Sequence, residues 1–179
     1  NGLGYARIPG IFSDAQVHGW KRVTDGVHQA GGKIFVQLMH CGRVCNTANM
    51  PAGSKVIAPS AIALPGDMWT DSSGMQANSM PAAMSEADIA HTIAEYATAA
   101  KRAIEAGFDG VELHGANGYL IDQFLNTASN QRTDQWGGNI ENRIRFAVEV
   151  AKATAAAIGA NRIGMRISPY GAFNGMTPD

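Results

Sequence analysis

The chain has 179 residues, 45% of them hydrophobic and 16% charged, which is enough for one domain with a sizeable core. Its 14 basic and 15 acidic side chains leave a net charge of -1 with no basic stripe, so nucleic-acid binding has no electrostatic support. No apolar run approaches the roughly 18 residues that span a bilayer. The opening NGLGYARIPG lacks the charged and apolar regions of a secretory signal, so a cytoplasmic protein with neither membrane nor nucleic-acid partner is expected.

In chain order, the first expected helix starts at Ser13, which with Gln16 has capping-box spacing. It continues through Val17, Trp20, Val23 and Val27 and stops at Gly31-Gly32, where a left-handed residue ends a helix without a Cβ clash. An apolar run follows at Lys33–Met39 (KIFVQLM) and reads as a strand buried on both faces. Residues 41–84 form a long non-helical segment rich in Ala, Pro, Gly, Ser and Met. Cys41 and Cys45 lie at its start in HCGRVC; with no second ligand pair following, they read as reduced thiols, and no metal site is expected.

A second helix starts at Ser85 with Asp88 three residues on, and Ile89, Ile93, Tyr96, Ala100 and Ile104 make one apolar stripe before Gly107. The second strand is Phe108–His114 (FDGVELH). Residues 115–139 follow as a second long loop containing a short helix in YLIDQFLN. A third helix, capped near Asn139, runs through Ile144, Val148, Ala151 and Ile158 to Gly159, and Arg162–Ser168 (RIGMRIS) is the third strand. Alternating helix and strand implies a parallel sheet, which a doubly wound sheet and a barrel satisfy equally. Long loops at the carboxyl ends of parallel strands are where barrel enzymes carry their chemistry.

His114 closes the second strand, and Asn117 and Tyr119 follow within one turn, so three polar groups are expected at one mouth. A structural account is available, in which His114 caps a strand end and Tyr119 packs over the rim. The convergence of the three groups, with Gly115 and Gly118 leaving the backbone open to approach, favours a binding site.

These residues also carry a resemblance. HGANGYLIDQFL, then SNQRTDQWGG and ENR, closely resemble the signature of the old yellow enzyme family. FVQLMHCGR at 35–43, RIGMRISP at 162–169 and the opening GLGYARIPGIFS are similar to it as well, so the likeness covers essentially the whole chain, in order. It implies an α/β fold, a (β/α)8 TIM barrel of which residues 1–179 supply the central part, roughly strands 3–5. It implies an FMN-dependent oxidoreductase that takes electrons from NADH or NADPH and passes them to an electrophilic alkene, nitro compound or quinone.

Residue by residue, the resemblance implies that Gln37 hydrogen-bonds the pyrimidine edge of FMN and that Arg166 stands beside the flavin N1 and C2 carbonyl. His114 and Asn117 match the pair that holds the substrate's carbonyl or nitro oxygen, and Tyr119 matches the phenol that protonates the α-carbon. Asn130, Gln131, Arg132, Asp134, Trp136, Gly137 and Gly138 resemble family scaffold, and Arg43 a loop anchor. His18, His28 and His91 read as solvated helix residues, while Trp69 either lines the pocket or covers it.

A closed barrel needs eight strands and about 250 residues. The missing initiator Met and the loop-like FNGMTPD therefore point to an excerpt, which by itself is expected neither to hold FMN tightly nor to turn over. Two alternatives remain at this point. One is an iron–sulfur flavoprotein of the dienoyl-CoA reductase type on the same barrel, whose cluster cysteines would lie beyond Asp179; the other is a non-catalytic barrel fragment. Oligomeric state is not legible in the sequence.

Overall fold

The computed structural model of the protein describes residues 1–178. Helix α1 (Asp14–Gln29) leads into strand β1 (Phe35–Leu38). Four short strands follow, β2 (Ile57–Ala58), β3 (Asp67–Thr70), β4 (Gly74–Ala77) and β5 (Ala82–Ala83). Helix α2 (Glu86–Glu105) leads into β6 (Gly110–Gly115), and helices α3 (Leu120–Leu125), α4 (Ile140–Arg143) and α5 (Arg145–Ile158) precede β7 (Ile163–Ile167). The main sheet is parallel with the order β1-β6-β7.

Both capping boxes form as their spacing predicts: the side chains of Ser13 and Ser85 accept from the N–H groups of Gln16 and Asp88, which return the bond. Gly31 takes φ +76° just past α1. The third helix differs from the expectation. It is divided at Ile144, whose N–H still reaches the Ile140 carbonyl at 3.0 Å while ψ relaxes to -16°. The long segment 41–84 is non-helical as expected, but it contains an unanticipated antiparallel hairpin, β3–β4, in which Trp69 faces Met75 across the ladder.

One face of the sheet makes the core. Leu38, Val111 and Leu113 pack against Ile89, Tyr96, Ala100 and Ala103 of α2 and against Phe146, Ala147 and Val150 of α5. Phe124 of α3 stacks on Phe146 with ring centroids 4.2 Å apart. On α1, Trp20 meets Phe108 edge-on at 5.5 Å. The expectation that the strands are buried on both faces needs correcting. It holds for β6, but Phe35 and Gln37 of β1 and most of β7 are exposed. The reason is geometric: no element among the described residues covers the second face of the sheet or pairs with the outer edge of β7.

That second face is set by register. Gln37 pairs with Glu112, Glu112 with Gly164, and His114 with Arg166. Because side chains alternate along a strand, Gln37, Glu112, His114, Gly164 and Arg166 share one face. Phe124→Ala removes a fully buried ring and its stacking on Phe146 and should cost about 3–5 kcal/mol, read as a lowered urea midpoint with unchanged slope.

Candidate active site

The turn after β6 is built from Asn117 and Gly118, with φ of +57° and +77°. Consecutive left-handed residues are what an Asn-Gly turn supplies at least steric cost. The Tyr119 N–H closes it on the Ala116 carbonyl at 3.3 Å. Both backbone groups of Asn117 are held: its N–H donates to Ser168 Oγ, and its carbonyl accepts from Asn174 Nδ2, each at 2.8 Å. A Cβ added at Gly118 would lie 2.6 Å from Cβ of Asn174, so this position admits no side chain.

Beneath the turn, the Asp122 carboxylate accepts the Gly118 N–H at 2.8 Å. Gln123, fully buried, accepts from the Arg43 N–H and donates to the carbonyls of Cys41 and Gly118. The loops after β1 and β6 are thereby joined through one amide. Arg43 reaches in turn to the carbonyls of Asn174 and Gly175.

Of the residues expected at the site, His114, Gln37 and Arg166 share the open face of the sheet, and Tyr119 comes to His114 with ring centroids 5.2 Å apart. Asn117 stands between them in the chain on the fixed turn. His114 is buried, and its Nδ1 has no hydrogen-bond partner among the described residues. Burial, with the Arg166 guanidinium adding to it, holds the imidazole below its ordinary range and therefore neutral. Glu112 opposes that shift.

A residue not singled out in the sequence completes the group. The phenol of Tyr5 hydrogen-bonds the phenol of Tyr119 at 2.9 Å, and the rings meet edge-on at 6.3 Å. Burial, followed by this bond, raises Tyr5 above the usual phenol range. The only local signal was its place in the opening GLGYARIPG.

The surrounding polar residues are tied to backbone. Asn130 donates to the carbonyls of Phe124 and Trp136, and Arg132 to those of Pro59 and Met84 while pairing with Asp134. Trp136 donates to Glu86 at 2.8 Å. His28 is exposed on its helix, as read from the sequence, and its Nε2 meets Asp109 at 2.9 Å, where Lys33 and the Ile34 N–H also converge. Trp69 is 54% exposed on the hairpin and donates to Asp71. Cys41 and Cys45 are free buried thiols, which burial raises to about 12 and about 11. No cluster of metal-ligating residues occurs among the described residues, and no helix there is long and apolar enough to cross a membrane. A cleft of about 530 Å³ lined by Lys101, Ile104, Ile158 and Arg162 lies ahead of β6 and β7, away from these groups.

The open face fits a flat, polar-edged group. Gln37 supplies an amide and Arg166 a fixed positive charge, while at Gly164 a Cβ would meet nothing, leaving the floor level. The unpartnered His114 nitrogen leaves a polar atom on this face free to meet such a group.

Comparison with known proteins agrees with this arrangement. Residues 1–177 match the NADH:flavin oxidoreductase / NADH oxidase family. The chain belongs to that family. A Leishmania infantum protein named "Probable flavin mononucleotide-dependent alkene reductase" is 49% identical over 174 residues, 95% of this chain and 48% of its own length. The old yellow enzyme homologue of Zymomonas mobilis superposes with a TM-score of 0.94 at 43% identity, over 98% of this chain and 49% of that one. Morphinone reductase in complex with tetrahydroNAD gives the same score and identity over 99% and 50%. The old yellow enzyme resemblance thus holds, and the parallel strands β1, β6 and β7 are part of its TIM barrel. The chain spans about half the length of the curated relatives it matches.

At the base of the site, His40 is buried; its carbonyl accepts from the Leu120 N–H and its Nδ1 from the Gly42 N–H. Burial lowers its pKa from 6.5 to about 3. Between those values the unfolded chain takes up a proton that the folded chain refuses. The contribution of His40 to stability is therefore fully present above pH 6.5 and declines as pH falls toward 3, by up to about 1.4 kcal/mol per pH unit. Urea unfolding between pH 7 and 4 should show that slope in wild type and a smaller one in His40→Gln; equal slopes would remove His40 as its source.

Proposed function

We propose that the intact protein is an FMN-dependent NAD(P)H oxidoreductase that reduces electron-poor alkenes, with this chain as the central part of its single barrel domain. The observation that carries the reading is the meeting of His114, Tyr119 and the Asn117 turn above the face that holds Gln37 and Arg166. The names of the relatives support the same class: an alkene reductase, and a reductase whose structure contains tetrahydroNAD.

FMN, when bound, would supply hydride chemistry toward the substrate, with NADH or NADPH as the source of electrons. Gln37 would hold the polar edge of the cofactor, and the Arg166 charge would favour its reduced, more negative form. His114 and Asn117 hold the carbonyl or nitro oxygen of the substrate. Negative charge builds on that oxygen as the β-carbon is reduced, so two donors already in place stabilise the transition state more than the ground state. A neutral imidazole suits this role, because it can donate a hydrogen bond without a counter-charge to be neutralised. Tyr119 gives its phenolic proton to the α-carbon, and its hydrogen bond with Tyr5 holds the phenol oxygen in place.

Anaerobic stopped-flow on the intact protein tests the assignments. Tyr119→Phe should leave flavin reduction by NADPH unchanged and slow reoxidation by 2-cyclohexenone by about 10²–10⁴-fold. Equal slowing of both steps would remove Tyr119 as the proton donor. His114→Ala should weaken the same enone step by about 10²–10³-fold. Enone turnover at the wild-type rate in that variant would refute the donor-pair assignment.

A further inference from the structure

The open face of the sheet carries one ionisable residue that the proposed chemistry does not use. Glu112 lies two residues before His114 on the same face, between Gln37 of β1 and Gly164 of β7. Its carboxylate accepts a hydrogen bond from Gln37 Nε2 at 2.6 Å. An isolated glutamine amide presents either its oxygen or its NH₂ to a ligand at little cost, because the two ends are nearly the same size. An ionised carboxylate, in contrast, only accepts. The end of the Gln37 amide that faces Glu112 must therefore be the nitrogen, and the amide has one orientation instead of two.

That choice determines what remains. With one N–H committed to Glu112, Gln37 offers its carbonyl oxygen and its second N–H, side by side. An adjacent acceptor and donor complement an imide edge, in which an N–H stands beside a C=O. The pyrimidine ring of a flavin presents such an edge. We propose that Glu112 is a positioning residue that fixes the polarity of the Gln37 amide and through it the recognition of the cofactor's imide edge; this rests on the FMN reading given above. The bond to a charged acceptor is of the stronger kind, and so holds the amide against rotation in the absence of ligand. Gly164 suits the arrangement, since it sets no side chain beside the carboxylate.

The proposal separates Glu112 from a residue that merely packs beneath the site. In the intact protein, FMN is titrated into apoprotein, with melting temperature measured on each variant. Glu112→Gln keeps the size of the side chain but provides an NH₂ as well as an oxygen, so the Gln37 amide can turn over. FMN affinity should fall by about tenfold, the worth of roughly one hydrogen bond. Gln37→Ala should lower affinity by at least as much, and Gln37→Ala with Glu112→Gln should bind no more weakly than Gln37→Ala alone. In labelled FMN, the ¹⁵N shift of the ring N3 should move in Glu112→Gln, which a purely supporting role would leave in place.

Wild-type affinity in Glu112→Gln would overturn the proposal while leaving the flavoprotein reading intact. So would a tenfold loss on adding Glu112→Gln to Gln37→Ala, because Glu112 would then act independently of the amide. Failure of the wild-type protein to bind FMN would instead overturn the functional reading and this proposal with it. Should Glu112→Gln not fold, Glu112→Ala serves the same cycle, since it removes the acceptor and offers the amide no substitute.

Discussion

The buried amide of Gln123 governs how the two loops of the site meet. It makes three of the four hydrogen bonds open to it, all with backbone: one from Arg43, one to Cys41 and one to Gly118. An amide taken from water and left unpaired costs several hydrogen bonds' worth of solvation, so the loops after β1 and β6 are stable only where they satisfy it. The identity of Gly42 follows from the same contact. A Cβ there would fall 2.1 Å from the Gln123 oxygen, and the residue also needs φ +59°. The Asn117–Gly118 turn is thus positioned by a packed polar joint beneath it.

Charge on the open face follows a similar economy. Arg166 and Glu112 carry opposite signs on adjacent strands, and their effects on His114 oppose each other. Burial prevails, and the imidazole stays neutral. A site of this kind offers hydrogen-bond donors and one fixed cation without placing a second positive charge where the substrate's oxygen would sit.

Much of this was legible in the sequence where the signal is local. The capping boxes at Ser13 and Ser85 lie within four residues of each other's partners, and both form. His114 at a strand end, with Asn117 and Tyr119 one turn later, is a matter of chain spacing alone. Register is different. That Gln37 faces Glu112, and His114 faces Arg166, depends on the strand order β1-β6-β7, which periodicity does not encode. Tyr5 escaped for the same reason, being 114 residues from the phenol it touches. The β3–β4 hairpin was hidden by composition: its strands read DMWT and GMQA, with Thr70 their one β-branched residue. Exposure of Phe35 and Ile167 reflects the share of the barrel that the chain contains, which no local pattern announces.

The left-handed path at Asn117 has a consequence for the order of assembly. Its two backbone anchors, Ser168 and Asn174, lie 51 and 57 residues downstream, and Arg43 reaches across 131 to the same trailing segment. Closing such spans is the entropically expensive part of folding, and its cost is met only when the distant partners are already ordered. No partial structure that stops short of Ser168 can hold the Asn117 amide this way. The turn that carries Asn117 is therefore held in this form only together with the segment that follows β7.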